Sequence, residues 1–387
     1  MTGDSASSRV ISANACGLGA EPDLGWGSSP GAGRVGLSTD WGGGGSGGVW
    51  AVDHRHMAET RDEGLVLYTR EDLLARDVTA SALSMASHGG PWRRLQPGVY
   101  VDREAYDDRF PVERHRIAVA AVMRSTRGGP AVVSHVSASV LHGLPQYRFA
   151  DRAVEVTLRG PAGGTSRAGL RRHLDALADE DVVSVGGIPC TSLDRTVFDV
   201  ARTAPLEMAL TCADAALRRE AVSSRRLDAA AQERWRERMR ERANRAGGRR
   251  GIRRARQVIE FADARAELPG ESVSRLQLHR IGFREIDLQV AVAGPRGTAY
   301  YVDIALGDVR TFWEFDGEVK YRDAEMRGGR SVEAVVLDEK RREDWIRGVT
   351  QWRLCRGGFD DIRTPETLAA RLAAFGVHPP RRERRRG

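Results

Sequence analysis

The chain has 387 residues, 41% of them hydrophobic, which is enough to fill ordinary cores in two or three domains. Its formal net charge is +7, from 60 Lys and Arg against 53 Asp and Glu, a balance that suits a polyanionic partner and leaves the fold open. Cys16, Cys190, Cys212 and Cys355 lie far apart with no CxxC pair, which argues against a disulfide framework or a thiolate zinc site. No apolar run approaches the roughly 18 residues of a membrane span, and the N-terminus lacks a basic-then-apolar leader, so the expectation is a cytoplasmic protein with no membrane partner.

Residues 1–56 are rich in Gly and Ser, with no sustained hydrophobic period. Such a segment buries too little apolar surface to offset its ordering entropy and is expected to be disordered. Because Met57 begins a stretch of ordinary globular composition, a start codon placed too early is a second reading of the same residues.

Residues 57–110 read as a compact unit. Thr69 with Asp72 three residues on is a helix cap leading into Leu73 and Leu74, and Thr79 or Ser81 opens a second helix that ends at Gly89-Gly90. Trp92 to Leu95 and Val99 to Val101 flank Gln96-Pro-Gly98, a tight hairpin. Two helices and a hairpin suggest a winged helix-turn-helix, with the second helix in a DNA major groove and Arg93 and Arg94 against phosphates. A protein-docking module is the competing reading.

Residues 111–222 form an expected α/β middle region. Ser134 to Leu144 and Asp194 to Ala201 read as short amphipathic helices, and Leu206 to Arg219 as a third. His135 and His142 lie seven apart and so share a helix face, where capping or packing is favoured over metal ligation. No nucleophile, P-loop or dinucleotide signature appears. Residues 223–267 read as a basic helical linker. Ser224 to Gln257 holds thirteen arginines and four acids, and several Glu and Arg sit three or four apart, for example Glu233 with Arg236. The surplus suits contact with phosphates.

The last unit is expected over 268–378, followed by a basic tail, 379–387. Glu271 to Arg280 reads as a helix ending at Gly282, Ile286 to Val292 as a strand, and Tyr300 to Ala305 with Arg310 to Phe315 as a hairpin. A helix follows from Val332 to Gly348, with Val335, Val336, Trp345 and Ile346 on its packed side and Lys340, Arg341 and Arg342 outside. A closing strand around Leu354 and a helix from Pro365 to Phe375 complete a small α/β sandwich. Glu314 and Asp316 share a strand face, which an unbroken strand extends to Glu318 and Lys320, and Asp303 joins it if the hairpin register allows. Like charges so close disfavour joint ionisation unless a divalent cation compensates them. Oxygen ligands suit Mg²⁺ (or Mn²⁺), and a lysine beside it orients a water or stabilises charge on a phosphate. The plainer reading is an exposed polar face on an ordinary hairpin.

Asp303, Glu314-Phe-Asp316-Gly and Lys320-Tyr, with the charged helix Glu339 to Trp345 and the strand Gln351 to Arg356, resemble the PD-(D/E)XK nuclease superfamily, nearest its very-short-patch-repair-like branch. The resemblance implies a restriction-endonuclease-like α/β sandwich in which Asp303 and Glu314 hold the metal and Glu271 adds an acid. The sequence departs from the pattern where Asp316 stands in the lysine's place. Glu318-Val-Lys320 restores the acid-x-Lys spacing two residues later, which makes Glu318 and Lys320 the catalytic candidates. Lys340 and Arg356 are candidates for holding a scissile phosphate, with a plain surface charge the equal alternative for each. Separately, Trp92-Arg-Arg-Leu95, Pro97-Gly-Val-Tyr100, Ser134 to Leu144 and Thr191 to Arg202 resemble AbiEi-type antitoxins. That likeness implies an autorepressor partnered by a nucleotidyltransferase-like toxin. The combined expectation is an α/β multidomain DNA-binding protein with a Mg²⁺-dependent endonuclease domain, the alternative being a non-enzymatic antitoxin-like regulator carrying an inactive nuclease fold.

Overall fold

The computed structural model describes residues 65–87, 89–126, 131–159, 166–316 and 332–380. The expectations placed on 1–56, Glu318, Lys320 and residues 381–387 lie outside that set.

The first unit is a three-stranded antiparallel sheet with short helices. β1 (Tyr68–Thr69), α1 (Arg70–Leu74), α2 (Ala80–Ser84), β2 (Trp92–Gln96), β3 (Val99–Asp102) and α3 (Arg103–Asp107) follow in order, and the sheet runs β1-β3-β2. The cap is a reciprocal box: Asp72 N–H donates to Thr69 Oγ1 at 3.0 Å and Thr69 N–H donates to Asp72 at 2.7 Å. Thr79 caps α2 through the Ala82 N–H. The second helix stops at Ser84 and tightens into a 3₁₀ turn over Met85–Ser87, short of the expected Gly89. Leu73, Leu83, Ala86 and Tyr100 close its core.

The middle of the chain joins a five-stranded mixed sheet to a helical cluster. α4 (Pro111–Ser125), β4 (Ala131–Val133), α5 (His135–Leu141), β5 (Val154–Leu158), β6 (Leu170–His173), β7 (Val182–Val185) and β8 (Ile188–Thr191) give the sheet order β6-β5-β4-β8-β7. α6 (Leu193–Thr203), α7 (Leu206–Ala221), the small ribbon β9 (Val222–Ser223) with β10 (Arg226–Leu227), α8 (Ala229–Arg245) and α9 (Ile252–Phe261) follow. The basic stretch read as a linker puts Trp235, Met239, Ala243, Ala255, Val258 and Ile259 into the same core as Val197, Phe198 and Leu217. Its charges could be high because only one narrow stripe of each helix is apolar.

The last unit runs α10 (Pro269–Ile281), β11 (Ile286–Ala293), β12 (Ala299–Leu306), β13 (Thr311–Phe315), α11 (Val332–Thr350), β14 (Arg353–Gly357) and α12 (Pro365–Ala374). Its sheet order is β11-β12-β13-β14, antiparallel except for the parallel β13/β14 pair. Val273, Leu278, Trp313, Phe315, Leu368 and Leu372 fill the side of α10 and α12, while Val302, Phe312, Leu354 and Ile346 fill the side of α11. The three layers are therefore helices, sheet and helix. α11 presents a different face from the one expected. Ile346 is buried, but Val336 is 50% exposed and Trp345 40% exposed, and Arg342 turns inward. Arg342 and Glu339 lie four and seven residues before Ile346, so burying that isoleucine brings both charges to the sheet.

Among the described residues no helix is long and apolar enough to cross a membrane. Cys190, Cys212 and Cys355 are buried free thiols.

Candidate active site

The acids of the last unit meet where the sheet forks. Leu288 and Val290 are two residues apart and in a regular strand share a face, yet they enter opposite cores. Gln289 between them adopts a left-handed backbone, φ 51°, which turns the strand over. Val302 and Ile304 divide in the same way around Asp303. The β12/β13 pairing runs from Leu306↔Thr311 to Ile304↔Trp313. At the fork beyond it the Asp303 carboxylate accepts the Phe315 N–H at 2.9 Å, doing the work of a ladder bond.

Glu271 reaches the same place from α10. Gly270 lets that helix come close, because a Cβ there would stand 2.2 Å from the Phe315 ring, and Trp313 Nε1 donates to Ser274 Oγ at 3.0 Å to fix the contact. Glu271 Oε2 accepts from Glu267 N–H at 2.9 Å and from Gln289 Nε2 at 3.0 Å. Burial, then the charge of Asp303, pushes the Glu271 carboxyl up to about 8. A carboxyl so raised holds its proton near neutrality, or takes a cation in its place.

Glu314 is turned elsewhere. Arg342 holds its Oε1 at 2.7 Å and Arg356 its Oε2 at 2.8 Å, and both arginines also meet Glu339. Burial acts to raise Glu339, but those two guanidinium groups outweigh it and hold the carboxyl below its usual range. Asp316 follows β13, half-buried, with its N–H on Gly357 O at 3.0 Å. Among Asp303, Glu271, Glu314 and Asp316, no three bring ligand atoms within 4.8 Å of one another.

The phosphate candidates also divide. Arg356 is in the Glu314 network, whereas Lys340 is exposed on α11. Arg93 pairs with Asp107 and lies over the Tyr106 ring at 4.9 Å, while Arg94 is exposed on β2. His142 donates from Nε2 to Thr191 O at 2.7 Å and so is occupied apart from His135. A cavity of about 790 Å³ lies away from these acids, between Leu158, Asp175, Arg202 and Arg249. Its lining is basic, with Arg159, Arg202, Arg249 and Arg250 against Asp175, whose carboxylate pairs with Arg195, Arg202 and Arg249.

Sequence reasoning missed Gln289 and Arg342. A glutamine inside a strand carries no signal of a left-handed backbone, whereas Arg342 was findable from its four-residue offset to Ile346.

No family model matches the chain. It is similar to uncharacterized proteins from two strains of Mycobacterium tuberculosis, with 28% identity over 298 residues in each case, covering 76% of this chain and 96% of the relative.

Proposed function

We propose that the chain is a cytoplasmic DNA-associated protein whose last unit is a metal-dependent phosphodiesterase of the PD-(D/E)XK kind. The observation that carries the reading is the buried Glu271 beside the half-buried Asp303 at the fork of a four-stranded mixed sheet. The helix–strand–strand–strand–helix–strand order around that pair agrees with the order the resemblance implies. A raised buried carboxyl beside a second acid fits a divalent cation, which would remove the repulsion between them. Asp303 and Glu271 would hold Mg²⁺ or Mn²⁺, whose contribution is to polarise a phosphodiester and acidify a bound water.

The chain's own residues do the rest. Gln289 fixes the Glu271 carboxyl, and the Phe315 N–H fixes that of Asp303. Arg342 and Arg356 are planar donors suited to a phosphate, and they meet one by exchanging Glu314 for it. Lys320 and Glu318 remain the candidates for neutralising charge and moving a proton. The first unit, read as a winged helix, offers Arg94 to the backbone of a duplex.

A second reading has its own observation. Both oxygens of Glu314 are taken by arginines, and with Asp316 in the lysine's place this favours a regulator that grips DNA without cutting it. Such a protein is an AbiEi-like autorepressor with a nucleotidyltransferase-like toxin as partner. Calorimetry with Mg²⁺ and Mn²⁺ on the full chain, beside cleavage assays on plasmid, duplex and single strands, separates the two. Metal-dependent cleavage that vanishes in Asp303→Ala supports the nuclease. Salt-sensitive DNA binding without metal heat or cleavage overturns it and leaves the regulator.

A further inference from the structure

A second cluster of ligating side chains lies in the middle of the chain, remote in sequence from the acids of the fork. His135 opens α5, Glu155 lies in β5 and His173 ends β6. Thr157 pairs with His173 across the parallel β5/β6 ladder, and Glu155, two residues before Thr157, shares its face. One ligand atom from each of the three residues falls within 4.8 Å of the other two. We infer that His135, Glu155 and His173 form a binding site for a zinc-class divalent transition metal ion, with two imidazole nitrogens and one carboxylate oxygen as ligands and a fourth position for water or an anion.

His135 and Glu155 are already oriented. Ser134 Oγ lies 3.0 Å from His135 Nδ1 and accepts from Thr157 Oγ1 at 2.9 Å, which fixes one nitrogen and leaves Nε2 for ligation. His173 Nε2 is buried and has no hydrogen-bond partner among the described residues, an expensive condition for a polar atom without a purpose. It stands 3.7 Å from Glu155 Oε2. Zinc bonds of about 2.0–2.1 Å in a tetrahedron set neighbouring donors about 3.4 Å apart, so closing that pair takes a few tenths of an ångström. Glu155 Oε1 faces Arg152 and Arg171 instead, which assigns Oε2 to the metal.

One further observation agrees. His135 also holds a left-handed backbone, φ 54°, a costly conformation for a residue with a Cβ and one that concentrates at functional positions. The His135 and His173 rings stack 3.6 Å apart with planes 14° from parallel. Parallel rings cannot both aim an in-plane lone pair at one point between them, so taking a metal swings at least one ring, and His173, with its side chain 22% exposed, has the room.

Imidazole ligands suit zinc, cobalt and nickel rather than magnesium, so this site and the acid pair of the last unit separate by metal type. The test uses the full chain stripped by a chelator and dialysed against Zn²⁺ in excess Mg²⁺, with Co²⁺ as a visible-absorption probe. One ion per chain is expected, with a four-coordinate Co²⁺ spectrum. His173→Ala and Glu155→Gln weaken retention by about tenfold or more, while Glu271→Gln leaves it unchanged. A folded wild type that retains no Zn²⁺ at one equivalent, or retention unchanged in His173→Ala, overturns the inference. Should the variants not fold, X-ray absorption of the Zn²⁺-loaded wild type decides: two imidazoles and oxygen support it, and sulfur from Cys190 beside His142 overturns it.

Discussion

Glu271 is 2% exposed, and its raised carboxyl has a consequence for stability. Between its unfolded value of 4.5 and about 8, the folded chain holds a proton that the unfolded chain has released. The contribution is therefore fully present below pH 4.5 and declines as pH rises through 8. At about 1.4 kcal/mol per pKa unit, a few kcal/mol are withdrawn. In chelator, Glu271→Gln is expected to flatten the fall in urea midpoint between pH 5 and pH 8. Added Mg²⁺ should stabilise the wild type more at pH 8 than at pH 5. A midpoint that falls equally in wild type and variant sinks this account.

Among the elements, α10 depends on one small residue. Gly270→Ala places a methyl on the Phe315 ring, which an overpacked interface accommodates at a cost of about 1–3 kcal/mol. Because α10 carries Glu271 and β13 follows the fork, the same change should draw Glu271 from Asp303 and return its carboxyl toward the ordinary range. NMR titration of the Glu271 side chain reads this directly, and an unmoved value refutes it. Some elements were readable in advance, though α4 and the five strands of the middle sheet were not. The hairpin of β12 and β13 announced itself by alternation and a Gly turn, and the caps at Thr69 and Thr79 by their side chains. The acid pair was only partly readable: Asp303 came from the acid face of the hairpin and Glu271 from a resemblance, whereas Gln289 rests on tertiary context that overrides strand propensity. The His135, Glu155 and His173 cluster was unreadable because β5 and β6 bring together residues whose spacing follows no ligand motif, and His142 was the partner that periodicity suggested.

Across the whole molecule, charge is spent more on holding the chain together than the sequence suggested. Arg238 meets Glu220 and Asp194, and Arg240 meets Glu233 and Glu260, so neither is free for a phosphate. Arg245 and Arg253 are exposed. Replacing these two with alanine is expected to reduce the slope of log affinity for DNA against log salt by about 1 each. Arg238→Ala and Arg240→Ala should leave the slope unchanged and cost at most about 1 kcal/mol each of stability. Equal slopes for all four variants would remove α8 and α9 from the DNA interface. A deeper tie joins the middle of the chain to the last unit: Arg275 of α10 pairs with Asp214 of α7 at 3.0 Å, both buried. Asp214→Ala strands a buried guanidinium and is expected to cost about 3–5 kcal/mol in a urea melt. A loss under 1 kcal/mol, the range of an exposed pair, would show the tie to be solvated.

That tie also bears on how such a protein can be cut and reassembled. The natural place to trim the chain is ahead of Pro269, where a new helix begins. A fragment starting there would carry Arg275 without Asp214 and without the Phe261 carbonyl that Arg275 also bonds at 2.6 Å. It would also bare Tyr301, over which Arg225 lies at 5.0 Å. The last unit is thus a poor cassette: grafted onto another targeting domain, it would turn Arg275 and the face of α10 that α7 covers out to water unless α7 and its neighbours travelled with it.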